Sequence, residues 1–254
     1  MTSEAIPAAT VVVFRNAPDG GAPQILMVTR SRDLKFAGGM AVFPGGRVDP
    51  ADYELGERLA GELDADEAAH RIAAIRETLE ETGLAIGVRE PVDAATARAA
   101  RGRLAETQTL APVLEEFGWT LDLAAIAPFA RWWPQNEKLP RVFDTRFYLA
   151  DLGTGAVDIA VDETENTRLF WTRAADALDA ADRGEIGVIF PTRRNLERLA
   201  QFDTAEAAFE QARAIPVRTI VPALVEDADG RWLTILEDAG YPVTREKLDR
   251  VQRG

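Results

Sequence analysis

The sequence predicts a mixed α/β fold, intermediate between α/β and α+β, on three observations. Two β-branched runs, residues 10–15 and 24–29, flank the turn-forming Pro18-Asp19-Gly20-Gly21. A helical pattern then begins at Asp64, and strand-like runs return after residue 125 among further helical segments. No internal repeat or flexible linker separates these pieces, so residues 1–254 are expected to form one domain. With 46% hydrophobic residues, a chain of this length can bury a sizeable core.

The first two runs read as a hairpin. Residues 40–43 read as a third strand, bounded by Gly38-Gly39 and by Pro44-Gly45-Gly46. At Asp64 the pattern changes to helix: Asp64 can cap, Glu67 stands three residues on as in a capping box, and Ile72, Ile75 and Leu79 recur at helical spacing. Gly83 ends that helix. Ala-rich segments at 93–104 and 110–117 read as packing helices, part of a helical insertion over about 91–118. Strands are expected at 125–132, 143–149 and 169–172, with helices at 174–183 and 193–214. A closing hairpin runs through 218–225, a turn at Asp227-Ala228-Asp229-Gly230, and 232–236.

Composition narrows the chemistry. The chain has no cysteine, which excludes disulfides, zinc–thiolate sites and a thiol nucleophile. Its single histidine, His70, is read as a solvated helix residue, so two-histidine metal sites are excluded. A net charge of −13 opposes a nucleic-acid partner, because such binding rests on Lys and Arg meeting phosphates. The first nine residues show no basic region followed by an apolar run, and no apolar stretch reaches a bilayer span. A cytoplasmic protein with no membrane partner is expected.

The informative segment is Arg76-Glu77-Thr78-Leu79-Glu80-Glu81-Thr82-Gly83-Leu84. Glu77, Glu80 and Glu81 stand at i, i+3 and i+4, so they project from one helical face and their heads are expected to converge. Like charges at that spacing cost about 0.2–0.5 kcal/mol per pair, and they lie where the helix dipole favours cations. Arg76 can orient Glu80 but cannot balance three glutamates. A hard divalent cation can, since Mg²⁺ takes carboxylate oxygens together with substrate phosphates. A solvated acidic face is the alternative for a glutamate cluster considered by itself.

These nine residues match the second half of the Nudix box, with Thr78 alone off-type, and Phe43-Pro44-Gly45-Gly46 matches its opening glycine loop. The chain therefore resembles the Nudix hydrolases. The resemblance implies an α/β/α sandwich with a mixed central sheet and extra helical insertions. It implies that Glu77 and Glu81 are principal metal ligands, that Glu80 serves a further ion, that the Gly46 region supplies a backbone carbonyl, and that Arg76 orients. The expected cofactor is Mg²⁺, with Mn²⁺ as the substitute ion, and the expected reaction is in-line displacement at a diphosphate by metal-activated water.

Two features depart from the pattern. The usual box has a glutamate eight residues before the arginine, where this chain has Ala68. It also has thirteen residues between glycine and arginine, whereas 29 separate Gly46 from Arg76, an excess of sixteen assigned to a helical insertion at about 50–65. Glu67 is read as a capping residue rather than a substitute carboxylate, because a one-residue shift turns a side chain by about 100°. The base is sought elsewhere. Glu163 and Glu165, in an acidic segment before Phe170-Trp171, are the candidates, with a solvated turn as the alternative.

The flanking segments point to a branch. Thr29-Arg30-Ser31, Leu34-Lys35 and Gly39 resemble the signature that precedes the box in coenzyme A diphosphatases. Ala130-Arg131-Trp132-Trp133-Pro134 and Arg141-Val142-Phe143-Asp144-Thr145-Arg146-Phe147 resemble segments of the insertion-bearing branch that includes peroxisomal acyl-coenzyme A diphosphatases. Arg30, Lys35, Arg141 and Arg146 are candidates to hold substrate phosphates, alongside the backbone of Gly45 and Gly46. Trp132, Trp133 and Phe143 read first as core. The expected partner is a small nucleotide substrate, coenzyme A or acyl-coenzyme A. An ADP-sugar, a dinucleotide and a non-catalytic nucleotide-binding domain are the rivals, and a homodimer is left open.

Overall fold

The strand with the strongest β-branched run organises the molecule. In the computed structural model, which describes residues 5–30, 37–135, 142–152 and 166–251, that strand is β1, Ile6–Arg15. Its side chains alternate between two cores: Val11 and Val13 face one layer of helices, Val12 and Phe14 the other. β1 pairs antiparallel with β2 (Gln24–Arg30), completing the expected hairpin, and parallel with β6 (Phe143–Asp151) along nine residue pairs from Ile6↔Phe143 to Phe14↔Asp151.

The remaining strands of the main sheet are β3 (Ala41–Val42), β4 (Gly45–Arg47), β5 (Ala127–Trp132), β7 (Asn166–Thr172) and β8 (Thr219–Ile220). The order is β3-β2-β1-β6-β5-β8, with β4 also on β1 and β7 also on β2. Both parallel and antiparallel pairs occur, so the sheet is mixed.

One face is covered by α1 (Pro50–Leu59), α2 (Ala65–Thr82), α3 (Ala94–Thr107) and α4 (Ala111–Phe117), and the other by α5 (Ala174–Asp182), α6 (Phe190–Leu199) and α7 (Ala205–Ala214). This is an α/β/α sandwich. None of these helices is long and apolar enough to cross a membrane.

The expected helix from 193 to 214 is two helices. Thr204 breaks it, its side chain accepting the Ala207 N–H as the N-cap of α7. The expected strand 218–225 is likewise divided: Thr219–Ile220 extends the main sheet beside β5, while Ala223–Asp227 (β9) joins β10 (Gly230–Thr234) and β11 (Arg245–Lys247) in a separate antiparallel sheet. Pro222, between the two segments, has no N–H for a ladder.

Candidate active site

Helix α2 begins and ends as its sequence dictates. Asp64 accepts the N–H groups of Asp66 and Glu67, and Gly83 closes the other end at φ 76°, its N–H on the Leu79 carbonyl. Ile72, Ile75 and Leu79 are almost wholly buried. Each such side chain contributes roughly 1.5–3 kcal/mol, which outweighs the tenths lost to neighbouring glutamates, so packing holds the acidic turn in place. Thr78, the off-type residue, is also buried, and its hydroxyl donates to the Ala74 carbonyl at 2.7 Å.

At the C-terminal end the three glutamates differ in surroundings. Among the described residues no three acidic side chains meet as a ready-made ligand cluster, so the expected convergence of heads is not the arrangement present. Hydrogen bonds divide them instead. Arg76 Nη1 donates to Glu77 Oε1 at 2.9 Å and to Glu80 Oε2 at 3.4 Å, whereas Glu81 Oε2 accepts the Gly45 N–H at 3.0 Å. Burial, followed by the like charges of Glu81 and Glu80, pushes the Glu77 carboxyl up to about 8 even though Arg76 lowers it.

The glycine loop meets these glutamates at close range. The Pro44 carbonyl accepts the Val11 N–H, and Gly45 and Gly46 pair with Thr10 and Ala9 as a short strand, where the sequence suggested only a loop. A Cβ at Gly46 would lie 2.3 Å from Glu77 Oε1, so a larger residue there would have to displace the Glu77 carboxylate. Carboxylate oxygens held against a glycine loop suit a hard divalent cation.

Arg76 is fixed by a residue that the motif reading missed. Its Nε lies 3.1 Å from Asp52 Oδ1 and its Nη2 2.9 Å from Oδ2, while Nη2 also donates to the Arg47 carbonyl at 2.9 Å. Burial opposes the charge on Arg76, but Asp52 and Glu77 more than offset it and hold the guanidinium firmly protonated. Asp52 is itself buried and accepts the Asp49 N–H at the start of α1.

Comparison with known proteins places this arrangement. Residues 6–109 match the NUDIX domain family model. The chain is 28% identical to a NUDIX hydrolase of Alicyclobacillus acidocaldarius of known structure, at a TM-score of 0.69, covering 83% of this chain and 97% of that one. Residues 6–109 thus carry a NUDIX domain, and the fold as a whole is similar to that of a Nudix hydrolase. Among curated relatives, Putative nudix hydrolase 7 of Caenorhabditis elegans is 26% identical over 90% of this chain and 76% of its own length. Acyl-coenzyme A diphosphatase NUDT19 of Gallus gallus is 24% identical over 92% of this chain and 79% of its own.

Counting the Nudix box from its glycine explains Asp52. A glutamate eight residues before the arginine, in a box with thirteen residues between glycine and arginine, stands six residues after the glycine. In this chain that position is Asp52. Asp52 thus stands where a carboxylate falls when the box is counted forward from Gly46, and it is the carboxylate that pairs with Arg76. Counting back from Arg76 across the added residues hid it.

The other candidates lie elsewhere. Arg146 engages Asp66 and Glu67 at the N-terminal end of α2, ten residues or about 15 Å from Glu77 along the axis. Glu67 bonds Arg71 and Arg146 and does not return to the cap backbone, so it is an ion-pair partner rather than the second half of a capping box. His70 is buried, not solvated: its Nδ1 is 2.7 Å from the Asp66 carbonyl and its ring packs edge-on against Tyr53. Burial lowers its pKa.

Arg30 ends β2, with its Nε buried and without a hydrogen-bond partner among the described residues. Lys35, Arg141, Glu163 and Glu165 lie outside the described residues. The two branch-like segments are neighbours on β5 and β6, where Arg131 Nε bonds Asp144 Oδ1 at 2.8 Å. Trp132 is core, its indole N–H on the Tyr241 hydroxyl.

Proposed function

We propose that this Nudix hydrolase cleaves the diphosphate linkage of coenzyme A or acyl-coenzyme A, yielding a phosphopantetheine-type product and adenosine 3′,5′-bisphosphate. The observation that carries the reaction class is the close approach of Gly46 to the Glu77 carboxylate, which a larger residue at 46 would displace. The substrate reading rests on the likeness to the chicken acyl-coenzyme A diphosphatase across 92% of the chain, together with the Trp-Pro and Arg-Phe-Asp-Thr segments.

In this reading Glu77, Glu80, Glu81 and the backbone of Gly46 hold Mg²⁺, or Mn²⁺ in its place. The bound ion neutralises the diphosphate and lowers the pKa of a water molecule. Arg76, locked by Asp52, orients Glu77 and Glu80, and Glu81 holds the glycine loop through the Gly45 N–H. Arg30, Lys35 and Arg141 are proposed for the substrate phosphates, and Glu163 or Glu165 for the base.

The test is a Mg²⁺-dependent panel of coenzyme A, acetyl-coenzyme A, ADP-ribose and a diadenosine polyphosphate, with products resolved by mass. Adenosine 3′,5′-bisphosphate from the first two is expected. Turnover of ADP-ribose or the dinucleotide, with coenzyme A untouched, would move the assignment to those rivals. Absence of all turnover alongside a nucleotide-induced rise in Tm would favour a binding domain.

A further inference from the structure

The last turn of α2 carries two loads of the same sign: the carboxylates of Glu77, Glu80 and Glu81, and the unpaired carbonyls found at any helix C-terminus. The helix has no basic residue in that turn. Gly83 satisfies one carbonyl, that of Leu79. The next two are met from another helix. Arg101 on α3 donates from Nε to the Glu80 carbonyl at 2.8 Å, and its Nη2 lies 3.5 Å from the Glu81 carbonyl, at the limit of hydrogen-bond range. Its side chain also passes Gly83, with Cδ 3.8 Å from the point where a Cβ would stand.

From this geometry we infer that Arg101 is a positioning residue for the metal-binding turn. It grips the backbone of the two residues whose side chains are proposed to bind the ion, and so fixes where those carboxylates start. The inference rests on the metal reading above. Two effects of the arginine oppose each other. Its charge disfavours a nearby cation, whereas its hold on the backbone keeps Glu80 and Glu81 in one arrangement. The sign of the measured change therefore decides between them. Gln at this position removes the charge and the fork; Lys keeps the charge and one bond.

The experiment measures Mn²⁺ binding without substrate, by the electron paramagnetic resonance signal of free Mn²⁺, for the full chain and for Arg101→Gln, Arg101→Lys, Glu81→Gln and Arg103→Gln. Arg103, also on α3, pairs with Glu106 and Glu116 and serves as the control. Arg101→Gln is expected to weaken Mn²⁺ binding by about tenfold, the scale of an outer partner of a metal ligand. Arg101→Lys is expected to recover part of that loss, and Arg103→Gln to bind as the parent does. Unchanged or tighter binding by Arg101→Gln, with only a lower Tm, would overturn the inference and leave Arg101 as a staple between helices. Equal binding by the parent and Glu81→Gln would instead sink the metal reading, and this inference with it. If Arg101→Gln does not fold, Arg101→Lys carries the test: binding equal to the parent's overturns the inference, and weaker binding supports it.

Discussion

The two ends of α2 are both acidic, and they are built for different purposes. At the N-terminal end, Asp66 and Glu67 lie where the helix dipole favours negative charge, and Arg146 and Arg71 pair with them. At the C-terminal end, Glu77, Glu80 and Glu81 oppose the dipole, and Arg76 is shared between two of them and Asp52. One end is balanced by side chains already present. At the other, burial and the neighbouring carboxylates outweigh Arg76 at Glu77. Acidic residues on one helix thus differ in how fully the surrounding fold compensates them.

The comparison breaks most sharply at Glu81. Replacing it with Gln leaves an acceptor for the Gly45 N–H but removes the charge, so the fold is expected to persist by circular dichroism. Diphosphatase kcat is expected to fall by more than the roughly 10–100-fold typical of an outer partner of a metal ligand. Retained activity would remove the distinction between the two ends.

Asp52→Ala probes what anchors the C-terminal end. It leaves the buried Arg76 without its bidentate partner, and urea unfolding is expected to report a loss of about 3–5 kcal/mol, together with a higher Mg²⁺ requirement. A loss below 1 kcal/mol would mean that Asp52 and Arg76 are not coupled as their geometry indicates.

At the balanced end, effects on catalysis should vanish. Arg146→Gln is expected to cost on the order of 1 kcal/mol, since Asp66 and Glu67 are partly solvated, with KM for the substrate unchanged. A raised KM would return Arg146 to the substrate site.

The smallest effect is the pH response of His70. Burial lowers its folded-state pKa, so protons bind the unfolded chain first, near the ordinary value of about 6.5. Stability from this group is present above that pH and is lost as the pH falls through it. Urea midpoints at about pH 7.5 and 5.5 are expected to differ less in His70→Asn than in the parent, and an equal difference would remove His70 from the acid response.

Much of the candidate site was legible because its signals are local. Arg76, Glu77, Glu80 and Glu81 share one helix face by spacing alone, and Asp64 and Gly83 mark that helix's ends. Asp52 and Arg101 were not legible in the same way. Asp52 reaches Arg76 from 24 residues away, across added chain that displaced the usual count, and Arg101 reaches the Glu80 carbonyl from a different helix. The environment of His70 was misread because α1 covers that side of α2, with Tyr53 against the imidazole, and periodicity within one helix cannot show what packs on it.

By itself the sequence determined the α/β class, the hairpin, the bounds of α2 and the row of carboxylates, because hydrophobic period, capping and turn chemistry act between near neighbours. Tertiary structure decided which charges are neutralised and which remain. Arg146 was claimed by Asp66 and Glu67, Arg76 was locked by Asp52, and Gly46 was pressed against Glu77. Those outcomes depend on distances between residues far apart in the chain, and burial makes each one count.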